Sequence, residues 1–319
     1  MKKVLITGIT GFAGSHLADY LISRKDYKIS GTYLFEDSLK TVRHIKDKIT
    51  AVKIDLNSQN HVLKLVEDIK PDMVFHLAAL TAPGDSFGNP AKTVTNNITL
   101  EINLLESIKK SKLFNTRILI VSSAEIYGLV RKEDLPIDEE TLFMPTNSYA
   151  VSKLAQDFLG LQYFLSYNLK IIRVRPFNHI GPRQSSNFVI GSWTSQIARI
   201  EKQEKKPVLL VGNLSAQRDF TDVRDMVKAY VLAIEKGKSG DVYNLGSENS
   251  YKISDILEIL LSYAKVRIKV QTDKSLLRPA DNPRLVCDSK KFRSLTGWKP
   301  QIPLEKTLED TLDYWRNIV

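Results

Sequence analysis

Lys3-Val4-Leu5-Ile6-Thr7-Gly8-Ile9-Thr10-Gly11-Phe12-Ala13-Gly14 opens the chain with an aliphatic, β-branched run and then three glycines at intervals of three. A segment follows in which Leu17, Ala18, Leu21 and Ile22 fall on one side at helical spacing. Strand, glycine turn and helix in this order form a βα unit. Its turn lets a pyrophosphate approach backbone N–H groups at the positive end of the helix. A side chain at the glycines would block that approach, whereas an ordinary tight turn does not need three of them in this register. Gly8, Gly11, Phe12, Ala13 and Gly14 are therefore the first candidate ligand-binding residues, and the ligand they suit is a dinucleotide.

The same alternation continues along the chain. Strand candidates are Ile29 to Tyr33, Ala51 to Ile54, Met73 to Leu77, Ile118 to Val121 and Lys170 to Arg175, each separated by enough residues for a crossover helix. Helices are expected over Gln59 to Ile69, Ala91 to Lys112 and Tyr149 to Tyr167. The last two are long enough to carry a second apolar face and to build a homodimer bundle. After Arg175 the texture loosens around Pro176, Gly181 and Pro182, and strand-like runs become sparser, at Val208 to Val211 and Ile268 to Val270. The expected fold is α/β, a doubly wound parallel Rossmann sheet with a smaller C-terminal α/β lobe. Residues 1–178 form the dinucleotide domain, a segment at about 222–246 returns to it, and 179–319 are mainly the substrate-binding lobe.

Composition narrows the class. With 319 residues, 43% hydrophobic and 26% charged, the chain is globular in character and too long for one small core. Gly8 and Gly11 interrupt the first apolar run before a signal-peptide core could form, and no other run is long enough to span a membrane. A single cysteine, Cys287, cannot form an internal disulfide, so a cytoplasmic protein without a membrane partner is expected. The net charge of +10 comes from scattered lysines, which reads as a basic surface and a small anionic ligand rather than a nucleic acid.

Tyr149 and Lys153 stand four apart and so share one helical face. An ammonium near a phenol favours the phenolate, and such a pair can donate or accept a proton. Ser122-Ser123-Ala124-Glu125-Ile126-Tyr127-Gly128 follows the fifth strand, at the edge where ligands of such sheets bind, and places Ser123 to hold a reacting oxygen. No histidine is placed to make Ser123 a nucleophile. Asp55-Leu56 and Leu77-Ala78-Ala79 end the third and fourth strands, where an adenine can lie, and His76 beside them reads as a packed structural histidine. Beyond the second strand come Glu36 and Asp37 and no arginine, which leaves NAD versus NADP open. No residue spacing suggests a metal.

The glycine pattern, Ser123, Tyr149 and Lys153 together resemble the extended short-chain dehydrogenase/reductase superfamily, the NAD-dependent epimerases and dehydratases, over nearly the whole chain. Arg175-Pro176-Phe177-Asn178-His179-Ile180-Gly181-Pro182-Arg183-Gln184 and Gln217-Arg218-Asp219-Phe220-Thr221-Asp222 are similar to its GDP-4-keto-6-deoxymannose reductases, as are Leu277-Arg278-Pro279 and Thr296-Gly297-Trp298. That resemblance implies an NAD(P)H cofactor, held in part by Tyr149 and Lys153, and a GDP-linked sugar held by Asn178, Val189, Arg218 and Arg278. It implies hydride transfer to the 4-keto group of GDP-4-keto-6-deoxy-D-mannose, giving GDP-D-rhamnose. Guanidinium groups suit a pyrophosphate, which agrees with the arginines. Glu125 keeps a GDP-mannose 4,6-dehydratase in play, because dehydratases of this superfamily carry a glutamate two residues beyond the serine. A non-catalytic RNA-binding relative is the third class.

Overall fold

Strands with apolar residues on both faces need cover on both sides, and the fold supplies it. The computed structural model describes residues 1–81, 83–277 and 282–319. Six strands come first: β1 (Lys2–Thr7), β2 (Tyr27–Tyr33), β3 (Thr50–Lys53), β4 (Met73–His76), β5 (Arg117–Val121) and β6 (Lys170–Pro176). The chain then forms β7 (Asn178–Ile180), β8 (Val208–Val211) and β9 (Gln217–Asp222) outside the sheet, and returns with β10 (Val242–Leu245) at its edge. The resulting sheet is seven-stranded and parallel throughout, in the order β10-β6-β5-β4-β1-β2-β3. Because β1 lies between β4 and β2, the winding reverses there and a crevice opens at the carboxyl ends of the strands.

The helices are α1 (Phe12–Arg24), α2 (Gln59–Ile69), α3 (Pro83–Gly88), α4 (Pro90–Lys110) and α5 (Ser148–Tyr167), then α6 (Val189–Glu201), α7 (Val223–Lys236), α8 (Ile253–Ser262), α9 (Lys290–Thr296) and α10 (Leu304–Ile318). Side chains alternate across the sheet. Val4 and Ile6 face α1 and α7, with Leu17, Leu21, Met226 and Val227, while Leu5 faces α2 and α4, with Val62, Val66, Leu104 and Leu105. Each such fully buried side chain contributes about 1.5–3 kcal/mol. A third core joins α6, α8 and α10 through Trp193, Ile197, Leu257, Leu260 and Leu308, under Leu209 and Val211 of β8. Two small sheets border it, one of β11 (Ser250–Lys252), β9 and β7, the other of β12 (Lys269–Thr272) and β8.

Strand limits differ from the sequence expectation by one or two residues. The clearest case is β2, which starts at Tyr27 because that ring is buried and its hydroxyl donates to Glu235. Between β2 and β3, Glu36–Lys48 winds in 3-10 turns. No helix among the described residues is long and apolar enough to cross a membrane.

Candidate active site

The glycine turn is tight for reasons the backbone makes plain. Gly8 has φ +72°, and Gly11 N–H donates back to Gly8 O at 2.9 Å. A Cβ on Gly14 would lie 2.2 Å from Gly8 O, and one on Gly8 would lie 3.1 Å from Ala78 Cα. Helix α1 therefore starts hard against the end of β1. Its N-cap, Gly11, has no side chain to cap the first turn, and that turn holds no acid. The orphan N–H groups are left for an anion. Thr7 Oγ1 accepts from Leu77 N and Ala78 N, both at 3.1 Å, and pins β4 beside the turn. His76 is buried there, with its Nδ1 2.9 Å from Thr7 Oγ1, so it is part of the frame.

A cleft of about 850 Å³ runs along these carboxyl ends. Gly8, Gly11, Phe12, Ala13 and Gly14 line it at one end, and Asp55, Leu56, Leu77, Ala78 and Ala79 line the adjoining wall. Glu36 and Asp37 do not. Glu36 is drawn to Lys53 at 3.0 Å, and the rim past β2 is made by Tyr33, Leu34, Phe35 and Ser38. These features fit a dinucleotide, with an uncapped helix end and a glycine turn at one side of a long cleft.

Ser123, Glu125, Tyr149 and Lys153 meet at the middle of the same cleft. Asn147 Oδ1 accepts from Ala150 N at 2.8 Å and starts α5, so Tyr149 falls in its first turn and Lys153 one turn on. Lys153 Nζ donates to Val121 O at 2.9 Å, and Ser122 Oγ donates to Lys153 O at 3.0 Å, which ties the helix to the end of β5. Ser123 caps the short turn after β5, its Oγ accepting from Glu125 N at 3.2 Å. Glu125 Oε2 accepts from Asn147 Nδ2 at 3.3 Å.

The electrostatics correct one expectation. Burial is the main influence on Tyr149 and pushes its phenol well above the ordinary value, with a hydrogen bond to Ser123 acting the other way. Lys153 is not among the groups that shift it. The lysine's own pKa is pulled down to about 8 by burial, opposed by the charge of Glu101. The resting site thus holds a phenol, not a phenolate, because desolvation dominates.

On the far side, Asn178 opens β7, Val189 opens α6, and both line the cleft. Arg218 lines it too, its Nη1 donating to Gln217 O and Asn282 O at 2.8 and 2.6 Å. Arg278 lies outside the described residues. Several lining residues were given no role by the sequence reading, among them His179, Gln184 and Tyr230. His179 stacks on Phe12 at 5.7 Å, Gln184 donates to His179 O at 3.1 Å, and Tyr230 reaches the cleft from α7. His179 and Gln184 lie in the stretch that carries the resemblance, but only Asn178 of it was assigned a contact, and nothing in the spacing around Tyr230 marks it. Cys287 is buried, and burial pushes its thiol up, which leaves no reactive thiolate. Among the described residues, no group of three or more His, Cys, Asp or Glu side chains is placed to hold a metal.

A doubly wound parallel sheet with a glycine turn at its switch point, and a serine, tyrosine and lysine at its carboxyl edge, is the architecture of the extended short-chain dehydrogenase/reductases. Within that class the family described as GDP-mannose 4,6 dehydratase matches residues 5–311, and the chain belongs to it. It is 34% identical to GDP-6-deoxy-D-mannose reductase of Pseudomonas aeruginosa, over all of this chain and 98% of that one. It is 30% identical to GDP-mannose 4,6 dehydratase 1 of Arabidopsis thaliana, over 98% of this chain and 89% of that one. The solved structure of RMD from Pseudomonas aeruginosa complexed with NADPH is similar at a TM-score of 0.86 and 32% identity, with both chains fully covered.

Proposed function

We propose that the protein is a cytoplasmic NAD(P)H-dependent reductase that converts the 4-keto group of GDP-4-keto-6-deoxy-D-mannose to the alcohol, giving GDP-D-rhamnose. The observation that carries this is Tyr149, a buried phenol kept protonated next to Ser123, in a cleft that the glycine turn opens onto. A reduction needs an acid at that place. The full-length likeness to a reductase supports the same reading.

The nicotinamide cofactor, when bound, supplies the hydride. Gly8, Gly11, Phe12, Ala13 and Gly14 hold its pyrophosphate, and Asp55, Leu56, Leu77, Ala78 and Ala79 receive its adenosine end, on a domain of residues 1–178 with the returning segment 222–246. Asn178, Val189, Arg218 and Arg278 hold the GDP-sugar, mainly on the 179–319 lobe. Ser123 and Tyr149 hydrogen-bond the ketone oxygen, and Tyr149 gives it a proton as the alkoxide forms. The Lys153 ammonium then stabilises the phenolate left behind and orients the cofactor ribose. No metal and no nucleic acid take part. Residues Val151, Phe158 and Leu165 recur every seven positions on α5 and are 44–70% exposed, so two copies pair through α4 and α5 as a homodimer.

The test is incubation with GDP-mannose and with its 4-keto-6-deoxy derivative, each with NADH or NADPH, followed by product analysis. Reduction of the keto sugar, with one reduced cofactor consumed per turnover, is expected. Glu125 favours the second reading, a GDP-mannose 4,6-dehydratase, because its carboxylate lines the cleft beside Ser123. Conversion of GDP-mannose with no net cofactor change would establish that reading instead.

A further inference from the structure

The loop between β7 and α6 carries a hydrogen-bond acceptor for which the chemistry above has no use. Gln184 is 6% exposed and lines the cleft. Its amide is oriented by Nε2, which donates to His179 O at 3.1 Å. Turning the amide over would set two oxygens against each other, so Oε1 is the end left over. That oxygen is buried and has no hydrogen-bond partner among the described residues. A buried acceptor left unpaired costs free energy, and where it lines a binding cleft a ligand can supply the missing donor.

The loop that presents Gln184 is fixed from both sides. On the dinucleotide side, Arg183 Nη2 donates to Asp19 Oδ2 at 2.6 Å and to His16 Nδ1 at 2.8 Å. The same imidazole donates from Nε2 to Pro182 O at 2.8 Å, so the two residues before Gln184 are tied to α1. On the other side α6 closes on the loop, where a Cβ on Gly191 would lie 2.2 Å from Ser185 O and 3.0 Å from Gln184 O. Gln184 N donates to Gly181 O at 3.2 Å and turns the chain between these two supports. The anchor of the amide, His179, stacks on Phe12 of the glycine turn, while Ser186, Asn187, Phe188 and Val189 continue the cleft wall beyond it. Gln184 thus stands where the cofactor end of the cleft gives way to the C-terminal lobe.

We propose that Gln184 is a specificity-determining residue whose Oε1 accepts a hydrogen bond from a hydroxyl of the hexose. This role rests on the reading of the cleft as a nucleotide-sugar site and adds a sugar contact to it. The chemistry of the oxygen selects the partner. Phosphate oxygens at neutral pH accept and do not donate, so an unpaired acceptor is no place for the diphosphate of either ligand. The hexose keeps hydroxyls at C2 and C3 after C4 has become a ketone and C6 a methyl, and a hydroxyl is a donor. The loop leads into Val189 and α6, which sets Oε1 on the sugar side of the cleft and away from the adenosine wall at Asp55 and Leu77. A fixed acceptor there lets the site tell a hydroxylated hexose from the nucleotide alone.

The test is calorimetric titration of the NADPH-loaded protein, wild type and Gln184→Leu, with GDP, GDP-mannose, GDP-2-deoxymannose and GDP-3-deoxymannose. GDP-mannose has no ketone to reduce, so in the presence of NADPH it serves as a binding probe. Wild type should bind one of the two deoxy analogues about tenfold more weakly than GDP-mannose. Gln184→Leu should lose about tenfold on GDP-mannose, keep GDP and NADPH within about twofold of wild type, and bind that deoxy analogue no more weakly than wild type does. Equal losses on GDP and GDP-mannose, which mark a displaced loop, would overturn the inference. So would a loss confined to NADPH, which marks an acceptor for the cofactor carboxamide, or no loss at all. Wild type that binds both deoxy analogues as tightly as GDP-mannose overturns it without any variant, which covers a Gln184→Leu chain that does not fold. Wild type that binds neither GDP nor GDP-mannose would instead remove the reading on which the inference stands.

Discussion

Replacement of Tyr149 by phenylalanine removes one oxygen from the cleft and little else. The ring is 8% exposed and Ser123 beside it is 9% exposed, so no bulk water stands ready to replace the lost acid. A positioned general acid is worth about 10²- to 10⁴-fold. In so enclosed a place the loss should reach about 10³-fold, or about 4 kcal/mol at 1.36 kcal/mol per decade. The ring volume is kept and the hydrogen bond lost is the one to Ser123 in the cleft, so NADPH should bind within about twofold of wild type. The proton is needed only as the alkoxide develops, so kcat and kcat/KM should fall together. The assay is the loss of reduced-cofactor absorbance with GDP-4-keto-6-deoxymannose, paired with a binding titration. The pH profile adds a second constraint. Burial raises the phenol above its ordinary range, so Tyr149 stays an acid throughout the assay, and an alkaline limb near pH 8 in wild type belongs to Lys153. A Tyr149→Phe enzyme that keeps more than a tenth of wild-type kcat would refute the assignment of Tyr149 as the proton donor.

Asp157→Ala leaves the buried guanidinium groups of Arg173 and Arg175 without their carboxylate and should cost about 3–5 kcal/mol in urea unfolding; a change below about 1 kcal/mol would show that other partners suffice. His16 and His76 are held neutral in the folded chain, with pKa values lowered to about 4 and about 3 from 6.5. The unfolded chain therefore binds more protons between those values, so the stability present above pH 6.5 is lost as pH falls toward 4 and then 3. Thermal melts should decline steadily from pH 6.5 to 4.5, and a flat melting temperature there would contradict the buried neutral imidazoles. Phe158→Glu puts a charge in the exposed stripe of α5 and should convert a dimer to a monomer in analytical ultracentrifugation without lowering the apparent folding cooperativity; an unchanged sedimentation coefficient would place the contact elsewhere.

The sheet was legible because its strands are buried on both faces. Ile118 to Val121 and Met73 to Phe75 are unbroken apolar runs, and the sequence reading found their strands to within a residue or two. The glycine turn was legible for a different reason: Gly8 and Gly14 occupy spaces a Cβ would fill, so the register of glycines reports the backbone directly. Spacing likewise put Tyr149 and Lys153 on one side of a helix. It could not say where Lys153 points, since that depends on Val121 O in a strand 32 positions away.

The electrostatic half of the site was hidden by the same limitation. A glutamate in a helix that also carries Glu106, Lys109 and Lys110 reads as part of a solvated face, whereas Glu101 is fully buried where α4 packs among its neighbouring helices. A nearby lysine was expected to favour the Tyr149 phenolate, yet desolvation is the largest influence on it, and desolvation is a property of the assembled cleft that no local window contains. Proton affinity at this site is therefore set by long-range packing, while the identity of the proton carriers is set by local spacing. A relative that kept Ser123, Tyr149 and Lys153 but opened the α4–α5 seam to water would retain the motif and lose the buried acid.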